Sequence, residues 1–340
     1  MYYNTELTIK KQLSENVFPG AVFAFVKKGE TYQQALGSAA LLPTQRPMTK
    51  ETLFDVASLT KMIGTNTLIL KLLEAGQLKL DDPLKKHLPE FADSLVTIRH
   101  LLTHTSDINP YIKNRDQLTA EPLKEALLAL TSGELIGNKC LYTDTGTLLL
   151  GFLIEKLTGQ PVQTVITNEV LGPLGMTSSG FTPTCSDIAA TEDHPLRGVI
   201  CGTVHDPKAF VLGEKCGSAG LFSTLDDCLL FCQMMLAGGT TATGQRLLQA
   251  QTIDQLFADH SPNQSFNRSL GWDLKYDLAS QEAILFHTGY TGTFLLIDKK
   301  AQEAFVFLSN RLHPEDNRQA YLLKRQELLD IYLQEKAQLS

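Results

Sequence analysis

Ser58-Leu59-Thr60-Lys61 follows the apolar lead-in Leu53-Phe54-Asp55-Val56-Ala57 and opens a helical pattern over 59–75. Residues three apart on a helix share a face, so the serine hydroxyl and the lysine amine can meet. An amine beside a hydroxyl can take its proton when burial or neighbours keep part of the amine neutral. Unpaired backbone N–H groups at a helix start favour the negative charge that develops on an attacked carbonyl. These are the parts of an acylatable serine that needs no histidine base. Alone, Ser-x-x-Lys is also a helix N-cap followed by an exposed lysine, and a chain this long carries it about once by chance. Its meaning rests on the rest of the chain.

Upstream, an amphipathic helix reaches to Phe18, and a β-rich run over 20–28 meets a hairpin partner over 31–38 across Gly29-Glu30. Downstream, helical patterns occupy 98–105, 122–130, 145–157 and 162–171, punctuated by Gly76, Asp81-Asp82-Pro83, Asn109-Pro110 and Gly159. The chain is loop-rich from Thr177 to about Ala219. A helix over 226–236 ends at Gly238-Gly239. Strand patterns follow over 269–276, 283–287, 293–297 and 304–309, and an amphipathic helix over 315–338 closes the chain. This order predicts an α+β fold: an antiparallel sheet of about five strands flanked by the terminal helices, with a mostly helical inserted region. Residues 1–55 and 200–340 are expected to form the sheet region and 56–199 the helical one, with the active site at their seam.

The 340 residues, 43% hydrophobic and 20% charged, are those of an ordinary globular protein. A net charge of −7 without any long Lys/Arg cluster argues against nucleic-acid and anionic-membrane partners. Met1-Tyr2-Tyr3-Asn4-Thr5-Glu6 lacks the basic start and apolar run of a signal peptide, and no apolar run reaches the roughly eighteen residues of a membrane span. A cytoplasmic location is therefore expected, without membrane insertion. Six cysteines occur without a C-x-x-C pair, so neither zinc nor structural disulfides are expected. Cys228 and Cys232, four apart in an apolar helix, suit two core thiols.

Two further clusters carry chemistry. Tyr142-Thr143-Asp144 stands just before the helical run that begins at 145, and His287-Thr288-Gly289 ends a strand pattern. A tyrosine near a lysine can shuttle a proton. A strand ending in a glycine-containing turn lets a substrate lie alongside and offers backbone N–H groups. Each cluster alone is also compatible with a half-buried tyrosine, an Asp cap and a strand-end turn.

Taken together, the ordered set Ser58-x-x-Lys61, Tyr142-x-Asp144 and His287-Thr288-Gly289 resembles the three active-site motifs of the serine β-lactamase and penicillin-binding-protein superfamily. Within it, the likeness is to the class C β-lactamase-related hydrolases and esterases. The resemblance covers nearly the whole chain. It includes Phe18-Pro19-Gly20-Ala21, Leu101-Leu102-Thr103-His104-Thr105-Ser106, Pro173-Leu174-Gly175-Met176 and Val204-His205-Asp206-Pro207. Further along it includes Ala219-Gly220-Leu221-Phe222-Ser223-Thr224, Leu270-Gly271-Trp272, Gly289-Tyr290-Thr291-Gly292-Thr293 and Ser309-Asn310-Arg311.

The resemblance implies Ser58 as the nucleophile and Lys61 beneath it, helping to accept its proton. Tyr142 would complete the base pair, relaying a proton to the leaving group and then activating water. The backbone N–H groups of Ser58 and Tyr290 would form the oxyanion hole. Asp144, His287, Thr288 and Gly289 would contact substrate. His287 replaces a lysine that many relatives carry, which weakens the grip on a substrate carboxylate at neutral pH. Asp144 stands where many relatives have Asn. A carboxylate only accepts hydrogen bonds and would hold Lys61 protonated, which shifts the burden to Tyr142 and lowers β-lactam turnover. Asp107 replaces a glycine in a turn where Asp tolerates positive φ.

No cofactor and no metal are implied. His100 and His104 are four apart, but Leu101 stands where His-Glu-x-x-His needs Glu, and the resemblance places both in a structural turn. Cys216-Gly217-Ser218-Ala219-Gly220 only imitates a nucleophile elbow. His205-Asp206 is expected to be structural or cleft-lining, and Tyr290 rather than Trp272 to form cleft wall. The implied function is a hydrolase that forms an acyl-serine on small-molecule ester, amide or β-lactam carbonyls, foremost a carboxylesterase or weak β-lactamase. The alternatives are a penicillin-binding D-Ala-D-Ala-type peptidase, and a slowly acylating sensor or pseudoenzyme without turnover. Intact Ser58, Lys61 and Tyr142 argue against a dead site.

Overall fold

Residues 1–339, described by a computed structural model, fold around one antiparallel sheet. Its strands are Gly20–Lys27 (β1), Glu30–Ala40 (β2), Arg46–Pro47 (β3), Asp273–Tyr276 (β4), Ala283–Gly289 (β5), Thr293–Asp298 (β6) and Glu303–Ser309 (β7). They lie in the order β3-β2-β1-β7-β6-β5-β4. The two ends of the chain meet where β1 pairs with β7, from Ala21 opposite Ser309 to Lys27 opposite Glu303. Seven strands exceed the expected five or so, partly because β3 is only two residues long and shows no alternation in sequence. It exists through pairing with the end of β2, across a register shift between Ser38 and Ala40.

Both faces of the sheet are covered, which explains why β1 reads as a continuous apolar run. Its residues still alternate between the two faces. Ala21, Phe23 and Phe25 face one side with Phe294, Phe305 and Phe307, against Tyr2, Tyr321, Leu328 and Tyr332. These contacts seat the terminal helices Tyr3–Ser14 (α1) and Arg318–Gln338 (α5). Val22, Ala24 and Val26 face the other side with Leu295, Ile297, Val306 and Leu308, toward the helical layer. That layer includes Thr67–Glu74 (α2), Thr145–Thr158 (α3) and Leu225–Leu236 (α4). Each buried phenylalanine contributes about 1.5–3 kcal/mol, so this sheet is the rigid element on which a site can be held.

The terminal helices are also tied by polar contacts. The Glu335 carboxylate accepts the N–H groups of Asn4 and Thr5 at 2.9 and 2.8 Å, satisfying two donors at the start of α1. Lys336 is buried among Asp277, Asp298 and Glu303 at 2.7, 3.0 and 3.3 Å. Cys228 and Cys232 are buried in α4. Among the described residues no helix is long and apolar enough to cross a membrane.

The helix after Ser58 is not uniform. Leu59, Thr60 and Lys61 donate three residues back, to the carbonyls of Val56, Ala57 and Ser58. Lys61–Asn66 is then wound as π-helix before α2 takes over. Such insertions change which face a residue presents and are concentrated at functional sites. All six residues of the π-segment are buried, so packing on every side imposes a winding that periodicity alone does not reveal.

Candidate active site

The site begins at a bend. Ala57 has φ +48°, a left-handed conformation that side chains disfavour. Its N–H donates to the Asp55 carboxylate at 2.9 Å, and the same buried carboxylate takes the His205 N–H at 2.8 Å. The bend places Ser58 at the cleft while Lys61, one turn on, lies wholly buried.

The Lys61 ammonium donates to Ser58 Oγ at 2.7 Å and to the Ser218 carbonyl oxygen at 2.9 Å, and meets Asp144 Oδ1 at 2.8 Å. Its three N–H donors thus face three acceptors, and it has no lone pair to offer. Burial alone would depress its pKa. The Asp144 carboxylate, together with Tyr142, outweighs burial and raises it above the ordinary lysine range. The reciprocal holds for Asp144, where burial acts upward but Lys61 and Lys208 hold the carboxyl well below the usual carboxylate range. Lys208 Nζ lies 2.9 Å from Asp144 Oδ2 and 3.6 Å from Asp206.

Tyr142 is 41% exposed on the cleft wall. Its ring packs on His104, with centroids 4.6 Å apart, and lies 5.9 Å from His287. The Lys61 ammonium and the Arg268 guanidinium stand 5.6 and 5.9 Å from its centre. Among the described residues the Tyr142 hydroxyl makes no hydrogen bond, and the lysine's third donor goes to Asp144 instead. Behind this ring lie two buried imidazoles. Burial, helped by Arg268 and Lys61, drives His104 down to about 3. Burial, Lys61, His104 and Arg268 push His287 well below the usual histidine range. His287 is therefore neutral at pH 7, and among the described residues neither of its ring nitrogens has a hydrogen-bond partner.

The opposite wall is the end of β5. A Cβ on Gly289 would collide with the Thr293 hydroxyl and the Val56 carbonyl oxygen. Glycine therefore lets β5 close on the segment that carries Ser58. Two threonines clamp that contact, with Thr291 Oγ1 donating to the Asp55 carbonyl at 2.7 Å and Thr293 Oγ1 to the Val56 carbonyl at 3.1 Å. Among the described residues neither the Ser58 nor the Tyr290 N–H donates to another protein group. Tyr290 itself is held at both ends. Its carbonyl accepts from Arg311 at 2.9 and 2.6 Å, and its hydroxyl donates to Asp316 at 2.6 Å.

Ser58, Tyr142, Asp144, Thr288, Gly289 and Tyr290 thus line one cleft of about 580 Å³, with Lys61 and His287 buried behind it. His205 and Asp206 line it as well. Trp272 is core, edge-on to His287 at 6.3 Å. Ser218 is buried and serves through its carbonyl, and His100 caps its own helix by accepting the Thr97 N–H. Lys208, His104 as a platform for Tyr142, and the arginines Arg318 and Arg325 of α5 were not legible in the sequence as site residues. A lone lysine or arginine on a helix is ordinarily a solvated surface residue, and no spacing marks these.

A family model described as Beta-lactamase matches residues 6–329. A protein of Escherichia coli (strain K12) named "Putative D-alanyl-D-alanine carboxypeptidase" is 32% identical over 352 residues, covering 87% of this chain and 79% of that one. The N-acetylmuramyl-L-alanine amidase of Bacillus subtilis (strain 168) is 30% identical over 362 residues, covering 88% and 80%. Among solved structures, a β-lactamase/D-alanine carboxypeptidase from Pseudomonas syringae superposes with a TM-score of 0.75 at 19% identity, covering 97% of each chain.

Proposed function

This chain belongs to the β-lactamase family and is a β-lactamase-fold hydrolase, and from that premise we propose that it works through an acylated Ser58. Its substrates are small-molecule esters, amides or β-lactams, with esters foremost. The observation that carries this is the 2.7 Å contact between Ser58 Oγ and a wholly buried Lys61.

In the resting site Lys61 is a full ammonium, so its part is to favour the Ser58 alkoxide as Oγ attacks the carbonyl. The carbonyl oxygen, becoming an oxyanion, takes the unpaired N–H groups of Ser58 and Tyr290. The Tyr142 hydroxyl accepts the serine proton while giving its own to the leaving group. It then removes a proton from the water that attacks the acyl-serine, and Ser58 regains its hydrogen. Thr288 and Gly289 let the substrate lie along the β5 edge.

Two residues favour esters over lactams. Asp144 presents an acceptor where an amide would donate to a substrate carbonyl, and its charge is already matched by Lys61 and Lys208. His287, neutral and buried, gives no cationic grip beside the serine. Amide cleavage of the kind named for the E. coli and B. subtilis relatives is the second reading, supported by identities of 32% and 30%.

Turnover of p-nitrophenyl acetate and butyrate, nitrocefin, a labelled penicillin and D-alanyl-D-alanine peptides, with intact-protein mass spectrometry, tests the proposal. Ester turnover that vanishes in Ser58→Ala, with little nitrocefin cleavage, supports it. Preferential release of D-alanine favours the peptidase reading, and a lasting penicilloyl adduct without turnover makes the protein a sensor. Neither adduct nor turnover would remove the proposed chemistry.

A further inference from the structure

Tyr290 opens the short turn Tyr290-Thr291-Gly292 that joins β5 to β6, where Gly289 pairs with Thr293. Its N–H is one of the two that would meet the oxyanion, so the setting of this turn decides how well the developing charge is held. One flank of the turn is fixed to the Ser58 segment by the hydroxyls of Thr291 and Thr293. The other flank is fixed by residues that the acyl-serine chemistry does not use, at the end of β7 and just past it. Ser309 donates to the Gly292 carbonyl through its N–H at 3.2 Å and its hydroxyl at 2.8 Å. Gly292 has φ +106°, and a Cβ there would collide with Ser309 Oγ and Arg311 Cγ. Glycine therefore lets the Arg311 side chain lie against the turn.

Arg311 directs all three nitrogens of its guanidinium to two residues. Nε and Nη2 donate to the Tyr290 carbonyl oxygen at 2.9 and 2.6 Å, and Nη1 donates to Asp316 Oδ1. Asp316 Oδ2 accepts the Tyr290 hydroxyl at 2.6 Å, and the guanidinium carbon lies 4.6 Å from the centre of the Tyr290 ring. One ion pair thus grips Tyr290 by its carbonyl, its ring and its hydroxyl. The fork of a guanidinium matches a carboxylate, yet here two donors converge on a neutral peptide oxygen and Asp316 takes a single one. Packing does not explain the arrangement, because Tyr290 is 42% exposed while Arg311 is 5% exposed. A buried cation that fixes an exposed residue at a turn serves the position of that residue. What sets Tyr290 apart is its N–H, which faces the cleft and among the described residues has no protein acceptor.

We propose that Arg311, backed by Asp316, is a positioning residue for the oxyanion hole. By holding the Tyr290 carbonyl it keeps the Tyr290 N–H aimed, together with the Ser58 N–H, at the oxygen of the attacked carbonyl. The proposal deepens the acyl-serine reading and rests on it. The restraint follows from backbone geometry. Gly289 is fixed on one side by its pairing with Thr293, and the gripped carbonyl fixes the other, so Tyr290 keeps little freedom of φ and ψ. Donors held in place beforehand need not reorganise as the charge forms, and a shift of about 1 Å is worth about 100-fold in rate.

The test uses p-nitrophenyl butyrate and its thionoester, whose sulfur accepts hydrogen bonds poorly and so gains little from the oxyanion hole. Phenylboronic acid, which forms a tetrahedral adduct with a nucleophilic serine, supplies a readout without turnover. In Arg311→Gln the oxoester kcat should fall by about 10–100-fold with KM within about threefold. The oxoester-to-thionoester ratio of kcat/KM should fall by about tenfold or more, and phenylboronic acid should bind about tenfold or more weakly. Arg311→Lys, which keeps the charge but not the fork, should recover part of each loss. Asp316→Asn, which leaves Arg311 its grip, should move both readouts the same way by less. Should Arg311→Gln melt below the assay temperature, Arg311→Lys decides on the same two readouts, where it should fall below wild type. A folded Arg311 variant with the wild-type ester ratio and boronate affinity overturns the proposal. So does an equal loss on both esters, which would make Arg311 purely structural. Ester turnover that survives Ser58→Ala would overturn the acyl-serine reading, and this proposal with it.

Discussion

Lys336 and Lys61 are both withdrawn from solvent, 2% and 0% exposed, but what surrounds them differs. Around Lys336 stand three carboxylates, Asp277, Asp298 and Glu303, from the end of β4, the end of β6 and the start of β7. Around Lys61 stand one carboxylate, one carbonyl and one serine hydroxyl, and the carboxylate is shared with Lys208. Burial opposes the charge of both ammonium groups, and in both the acidic neighbours win and raise the pKa. Three acids share the task of holding Lys336 charged. Lys61 has Asp144 as the largest of its acidic influences, ahead of Tyr142 and Asp206, and has a nucleophile as another of its partners. The first arrangement staples α5 to the sheet, and the second leaves a proton position that one substitution can move.

The largest effects should separate the two lysines by what they damage. Ser58→Ala should lower ester kcat by about 10⁴-fold or more, and Lys61→Met by about 10³-fold or more, the range seen when one member of a nucleophilic unit is removed. Both variants should melt as cooperatively as the parent. Lys336→Met should do the converse, lowering stability by about 3–5 kcal/mol because it strands buried carboxylates, while ester kcat per folded molecule stays within about twofold. Urea melts and kcat on the same samples decide this. An inactive but stable Lys336→Met would break the comparison.

Next in size is the response to acid. Burial raises the Asp277 carboxyl, but hydrogen bonds from Lys336 and Ser280 overcome it and leave it at about 2. An unfolded aspartate titrates near about 3.9. A depressed carboxyl contributes stability that is present above its unfolded value and lost as pH falls through its folded one. Lys336, raised above the ordinary lysine range, contributes stability below about 10.4 that is lost as pH rises past its folded value. Tm should therefore be nearly flat only from about pH 7 to 9. It should begin to fall below about pH 6.5, as the unfolded chain protonates His104 and His287, which the fold keeps neutral. Asp277 should add a loss of about 2 kcal/mol between about pH 4 and 2. Lys336→Met should shrink that acid loss. An unchanged acid limb in the variant would remove Lys336 as its cause.

The smallest predicted effects concern the proton on Lys61. Asp144→Asn removes the carboxylate that outweighs burial, so the lysine should become neutral at lower pH. The pH profile of kcat/KM should move down, and nitrocefin turnover relative to ester turnover should rise by about tenfold, since an amide can donate where the carboxylate cannot. Lys208→Gln leaves the Asp144 charge to Lys61 alone and should move the profile the other way. Displacement of both variants in one direction would show that Lys208 does not act through Asp144.

What could be read from the chain was what lies close along it. Ser58 and Lys61 are three apart on a helix, Asp144 is two past Tyr142, and Gly289 ends a strand, so local spacing brought the three motifs into view. Asp107 in a left-handed turn, at φ +48°, was also legible, because Asp is one of the few residues that tolerate it. The π-winding of Lys61–Asn66 and the bend at Ala57 were not, since surrounding packing imposes both. Nor was β3, whose two residues become a strand only by pairing.

The order of helices and strands, the α+β class and the presence of a serine with a lysine one turn away were determined by sequence alone, through periodicity and short-range geometry. The charge state of that lysine was decided elsewhere. Asp144 lies 2.8 Å from Lys61, Lys208 lies 2.9 Å from Asp144, and Arg318 sits over Tyr290 because the sheet and helices fold these segments together. Electrostatic energy depends on distance and burial, and both are properties of the packed structure, so the same residues in another packing would hold their protons differently.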